Sequence, residues 1–128
     1  MTELVIGARF ELPLDPITLR DIVRYAGASG DFNPSHYDRE LAVRSGFKTN
    51  FAQGMFTAGL LGVAVAERFG SERIRRFGVR FGAPLWCESA PVISGTVTSI
   101  DNDIARLDLA ATVDGAEVMR GWADIALS

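Results

Sequence analysis

Residues 55–69 are apolar nearly all round a helical projection, and Gly70 is placed to end the run. A helix without a polar face belongs inside a fold, so the rest of the chain has to wrap it. Its most apolar part, residues 55–66, falls well short of the roughly 20 residues that a membrane span needs. Ala58, Gly59, Gly62 and Ala66 let other backbone come close, at some loss of helix propensity. The wrapper lies on the C-terminal side, where residues 74–81, 91–101, 104–113 and 116–126 all read as strands. Leu107, Leu109, Ala111 and Val113 alternate with Arg106, Asp108, Ala110 and Thr112, the period of a half-buried strand. Asp101-Asn102-Asp103 and Asp114-Gly115 sit at the joins and read as tight hairpin turns. The expected architecture is α+β, a curved antiparallel sheet around one central apolar helix.

Upstream, residues 4–11 carry a short apolar-rich strand pattern, which Pro13 and Pro16 close because neither has an N–H to donate. Thr18 and Asp21 form the pattern of a capping box with Asp in place of Glu. Leu19, Ile22, Val23 and Ala26 then recur at helical spacing, predicting a helix that ends near Gly27 or Gly30. In the GDFNPSHY loop that follows, Asn33-Pro34 favours a turn and keeps Asn33 out of the helical region. Asp38 can cap a short helix over 39–45, with Gly46 as its stop.

Composition bounds what such a domain can hold. With 128 residues, 48% of them hydrophobic, folding buries about two thirds of the unfolded surface, enough for a core without staples. The pattern reads as one domain over residues 1–128. Cys87 is the only cysteine, so an internal disulfide is excluded. Thirteen Lys+Arg against sixteen Asp+Glu give a net charge of -3, which leaves no bulk positive field for nucleic acid or anionic lipid. The opening residues have neither a basic lead nor a sustained apolar stretch, so no secretory signal is expected and the cytoplasm is the expected compartment.

His36 is the only histidine, so zinc sites of the usual kinds lack ligands. No G-x-S-x-G elbow, phosphate-binding P-loop or G-x-G-x-x-G after a strand is present. What remains is a carboxylate, Asp31, and an imidazole, His36, in one irregular loop that can aim both at a point. On spacing alone Asp31 would more often cap a turn and His36 pack or face solvent. A second feature stands at Gln53-Gly54-Met55, just before the apolar helix. There the N–H groups lack intrahelical partners and lie at the positive end of a dipole.

The stretch Tyr25-Ala-Gly-Ala-Ser-Gly-Asp-Phe-Asn-Pro-Ser-His-Tyr-Asp, continuing through Ala42, resembles the hydratase motif of MaoC-like dehydratases and (R)-specific enoyl-CoA hydratases. Phe51-Ala-Gln-Gly-Met-Phe-Thr-Ala-Gly-Leu resembles that family's approach to its central helix, and Val79-Arg80-Phe81 with Pro84 its following strand and bulge. Two positions depart: Ser35 stands where an aliphatic residue is usual, and Gly62 where some members have serine.

The resemblance implies a hot-dog fold and an enzyme that adds water to trans-2-enoyl thioesters, giving (R)-3-hydroxyacyl thioesters. Asp31 and His36 would hold the water, and the Gly54 N–H would bind the thioester carbonyl oxygen. Asn33, Gln53, Met55 and Arg80 are the expected substrate contacts, although Asn33 also reads as a plain turn former. Arg73, Arg75, Arg76 and Arg80 form the only basic cluster, suited to the phosphates of CoA or simply to solvent. No metal and no cofactor are expected. The expected partners are an acyl-CoA or acyl-carrier thioester and a second subunit, in a homodimer, a dimer-based oligomer or a heterodimer. A hot-dog thioesterase and an acyl-binding subunit without activity are the competing readings.

Overall fold

In the computed structural model, which describes residues 4–128, five strands form one antiparallel sheet in the order β1-β3-β4-β5-β2. These are β1 (Arg9–Pro13), β2 (Ile74–Phe81), β3 (Val92–Asp101), β4 (Ile104–Val113) and β5 (Ala116–Ala126). Three α-helices, α1 (Leu19–Ser29), α2 (Arg39–Arg44) and α3 (Gly54–Phe69), lie between β1 and β2 in the chain. None of the helices is long and apolar enough to cross a membrane.

Local chemistry accounts for most element ends. The Thr18 side chain accepts from the Asp21 N–H, and the Asp21 carboxylate accepts from the Thr18 N–H, so the capping box forms in full. Gly30 closes α1 at φ 80°, a left-handed position that costs glycine little. Asp38 caps α2 through the Leu41 N–H. Both C-terminal hairpins turn through left-handed pairs, Asn102-Asp103 at φ 50° and 63° and Asp114-Gly115 at 50° and 81°. That geometry matches the twist of the strands they join.

The first strand departs from its expected span. Gly7 takes φ 89° and breaks the extended run, so β1 begins at Arg9 and carries on through Pro13. A proline is tolerated there because β1 is an edge strand, paired only with β3.

The sheet curves over α3. Ala58, Leu61, Val65 and Phe69 of the helix are buried against inward residues of the sheet such as Leu107 and Ile125. A second buried cluster, Ile17, Ile22, Ala52 and Leu85, bolts α1 to the segment leading into α3. The all-round wrapping expected of α3 is not what forms. The sheet covers one side, while Met55 and Val63 stay 58% and 55% exposed, beside exposed Phe77 and Phe81 of β2. Leu19 and Val23 of α1 are likewise exposed, so of its two apolar stripes only Ile22 and Ala26 pack inward.

Candidate active site

The loop between α1 and α2 is built from short-range hydrogen bonds. The Asp31 N–H donates to the Ser29 hydroxyl at 3.1 Å, and Asp31 Oδ1 accepts from the Asn33 N–H at 3.3 Å. Asn33 Oδ1 in turn accepts from the Ser35 N–H, starting the 3-10 turn Pro34–His36. Each is a side chain bonding backbone two residues away, the local bond that Ser, Asn and Asp favour in turns. Asn33 therefore serves as a turn former, its acceptor occupied within the loop.

These bonds bring the two candidate groups together. Asp31 Oδ2 lies 3.7 Å from His36 Nε2, with the imidazole almost wholly buried and the carboxylate half exposed. The other ring nitrogen, Nδ1, is 2.9 Å from the Phe51 carbonyl oxygen. A carbonyl only accepts, so Nδ1 carries the proton, and in neutral His36 the Nε2 lone pair faces Asp31.

The segment leading into α3 holds this arrangement from the other side. The Asn50 side chain, 4% exposed, donates to the His36 carbonyl at 3.1 Å and accepts from the Thr49 hydroxyl. The Phe51 ring meets the imidazole edge to face, with centroids 4.8 Å apart. Residues 50–52 are themselves fixed by short antiparallel pairing, Ala52 N–H to the Leu85 carbonyl and Cys87 N–H to the Asn50 carbonyl. Sequence reading missed Asn50 and Phe51, because their partner His36 lies 14 and 15 residues away. The one available signal was a polar residue, Asn50, at the edge of an apolar run.

Gly54 opens α3 and is exposed. No side chain caps this helix, and the first bonds to the Gln53 carbonyl come from Phe56 and Thr57. The Gly54 and Met55 N–H groups thus precede the helical ladder and point a partial positive charge outward. A Cβ at Gly54 would lie 2.8 Å from the ring of exposed Phe81, so a side chain there would have to displace that ring. Met55 is exposed next to it.

Gln53 and Arg80 are placed differently from the expectation. Gln53 is 1% exposed, and its Nε2 donates to the Ile22 carbonyl of α1 at 3.1 Å, so it faces the interior. Arg80 falls on the face of β2 away from α3. Phe77 and Phe81 approach Gly62 and Gly54 of the helix, while Arg76 stacks over Trp122, and alternation puts Arg80 with Arg76. The rest of the basic cluster is also engaged. Arg73 donates to the Ala126 and Leu127 carbonyls and Arg75 to that of Glu72.

Along the open side of α3 runs an apolar groove of about 400 Å³, lined among others by Leu12, Leu14, Tyr25, Phe56, Gly59 and Val63. No cluster of three or more potential metal ligands occurs among the described residues.

Comparison with known proteins agrees with this picture. An (R)-specific enoyl-CoA hydratase of Rhodospirillum rubrum is 29% identical over 114 residues, covering 85% of this chain and 78% of the relative. An (R)-hydratase from A. caviae superposes with a TM-score of 0.88 at 22% identity, over 98% of each chain, a likeness that carries the hot-dog fold. The ChsH1–ChsH2 complex from Mycobacterium tuberculosis gives a TM-score of 0.87 at 26% identity, covering 97% of this chain and 98% of that one. Residues 3–112 match the family model described as the MaoC like domain, and the chain belongs to that family.

Proposed function

We propose that this protein is an (R)-specific hydratase of trans-2-enoyl thioesters, running as a dehydratase when the 3-hydroxyacyl thioester is in excess. The observation that carries the reading is the pairing of His36 Nε2 with Asp31 Oδ2 at 3.7 Å while Nδ1 is held by the Phe51 carbonyl. With Asp31 ionised and His36 neutral, the two facing atoms are both acceptors. One water can donate a proton to each, which fixes its oxygen for attack.

In the forward direction the water oxygen bonds to C3 and the C2=C3 π pair moves toward the thioester carbonyl. One water proton passes to the dyad, and the dyad returns a proton to C2. Because both transfers use one dyad, they take place on one face of the alkene and the addition is syn. Negative charge builds on the carbonyl oxygen as the π pair moves. The Gly54 N–H at the start of α3 stabilises that oxygen more in the transition state than in the substrate. The acyl chain takes the apolar groove beside Gly59 and Val63, whose lining matches it in polarity.

The active unit is a dimer, of two copies or of this chain with a related one. Exposed Met55, Val63, Phe77 and Phe81, next to β2 as an open sheet edge, form the kind of apolar surface that a subunit covers. The likeness to a chain of a complex supports the same reading.

Crotonyl-CoA tests the activity. Enoyl absorbance should fall without release of thiol, and chiral analysis should find the (R)-3-hydroxy product. Thiol release at the rate of absorbance loss would make the protein a thioesterase instead, and the hydratase reading would be abandoned.

A further inference from the structure

Among the buried polar side chains that the reaction as derived does not use, one has an atom without a partner. Gln53 immediately precedes Gly54, is 1% exposed and does not cap α3. Its Nε2 donates to the Ile22 carbonyl at 3.1 Å, and its Oε1 is buried with no partner. The amide cannot be turned round, because Oε1 would then face another carbonyl oxygen. A methionine or leucine would fill the same space without leaving an acceptor unsatisfied. The donor half of the amide is therefore the feature to explain.

The bond runs between the two halves of the site. At the His36 end the loop is tied to the α3 approach by two directional bonds, from Asn50 to the His36 carbonyl and from Nδ1 to the Phe51 carbonyl. At the Asp31 end the loop hangs from α1, whose cap Gly30 is next in the chain to Asp31. Ile22 also packs with Ala52 and Leu85, but apolar contact has no direction and tolerates sliding. Gln53 supplies a directional tie on that side.

We propose that Gln53 is a positioning residue for the hydration, resting on the hydratase reading above. By holding the Ile22 carbonyl, it sets α1, and with it the Asp31 carboxylate, against the Gly54 N–H. Small displacements between groups that act on one substrate cost turnover steeply, while substrate affinity, made largely along the apolar groove, changes little.

The test compares Gln53→Met, which keeps the length and loses the donor, with Gln53→His, which keeps a ring N–H. Steady-state hydration of crotonyl-CoA and thermal melting are measured for both and for the unaltered protein. Gln53→Met should melt cooperatively and lose about tenfold or more in kcat, with KM within about twofold. Gln53→His should recover to within about threefold of the unaltered kcat. A folded Gln53→Met with full kcat, a loss confined to KM, or a folded Gln53→His as poor as Gln53→Met would each overturn the assignment. If Gln53→Met does not fold, Gln53→Leu takes its place in the same comparison. An unaltered protein that hydrates no enoyl-CoA would instead sink the hydratase reading itself.

Discussion

Asp31 divides its oxygens between two tasks: Oδ1 accepts from the Asn33 N–H and shapes the loop, while Oδ2 faces His36. Asp31→Asn keeps a neutral acceptor for the turn and removes the carboxylate, so it isolates the chemical task. We expect this variant and His36→Ala each to lose about 10²-fold or more in kcat for crotonyl-CoA hydration. Circular dichroism should show both folded, and near-normal turnover in either would remove the dyad from the mechanism. At this scale the sequence was informative where the interaction is local. Asp31, Asn33 and His36 fall within one loop that can aim its side chains at a point, although spacing alone favoured the turn-forming reading of Asp31. The turn-forming and catalytic readings of Asp31, set against each other on sequence, are compatible once its two oxygens are distinguished. Asn50, Phe51 and the burial of Gln53 were not legible, because each depends on a partner from another part of the chain.

Among the elements, the four C-terminal strands were the best anticipated. The expected spans for β2, β4 and β5 coincide with those observed, and β3 differs by one residue at its start. Alternation and left-handed turn residues act over a few neighbours and need no tertiary help. Leu19 and Val23 show the limit, since helical spacing identifies a face without saying whether anything covers it. The β4–β5 pair also carries a pH-dependent tie. Asp124, 8% exposed, lies opposite Arg106, and the bond from that guanidinium holds its carboxyl below the ordinary range. A carboxylate depressed in the folded state contributes stability above its unfolded pKa, about 4, and loses it as pH falls through the lower folded value. The melting temperature of Asp124→Asn should therefore lie below that of the unaltered protein at neutral pH, and the gap should close in acid. A gap unchanged down to about pH 2 would show that the charge contributes nothing.

For the whole molecule, the open side of α3 makes the assembly testable. Val63 is 55% exposed, so a single copy accommodates arginine there without burying its charge. Val63→Arg should leave the fold intact and convert the proposed dimer, about twice 13.9 kDa, into monomer by light scattering. Assembly at the unaltered mass would place the interface elsewhere. This side of the helix is also where the sequence misled: composition counts apolar residues on a helix but not the area of the sheet available to cover them. A sheet curved over one side of α3 leaves the rest for another surface.

The sequence by itself determined the periods, caps and turns, and the loop in which Asp31 and His36 are neighbours, since each follows from forces between residues a few positions apart. Only the tertiary structure decided that the imidazole presents Nε2 to the carboxylate, that Gln53 turns inward to α1 and Arg80 away from α3, and that one side of the central helix stays open. Those outcomes depend on hydrogen-bond partners and covering surfaces that remote segments bring together, and no local pattern encodes that placement.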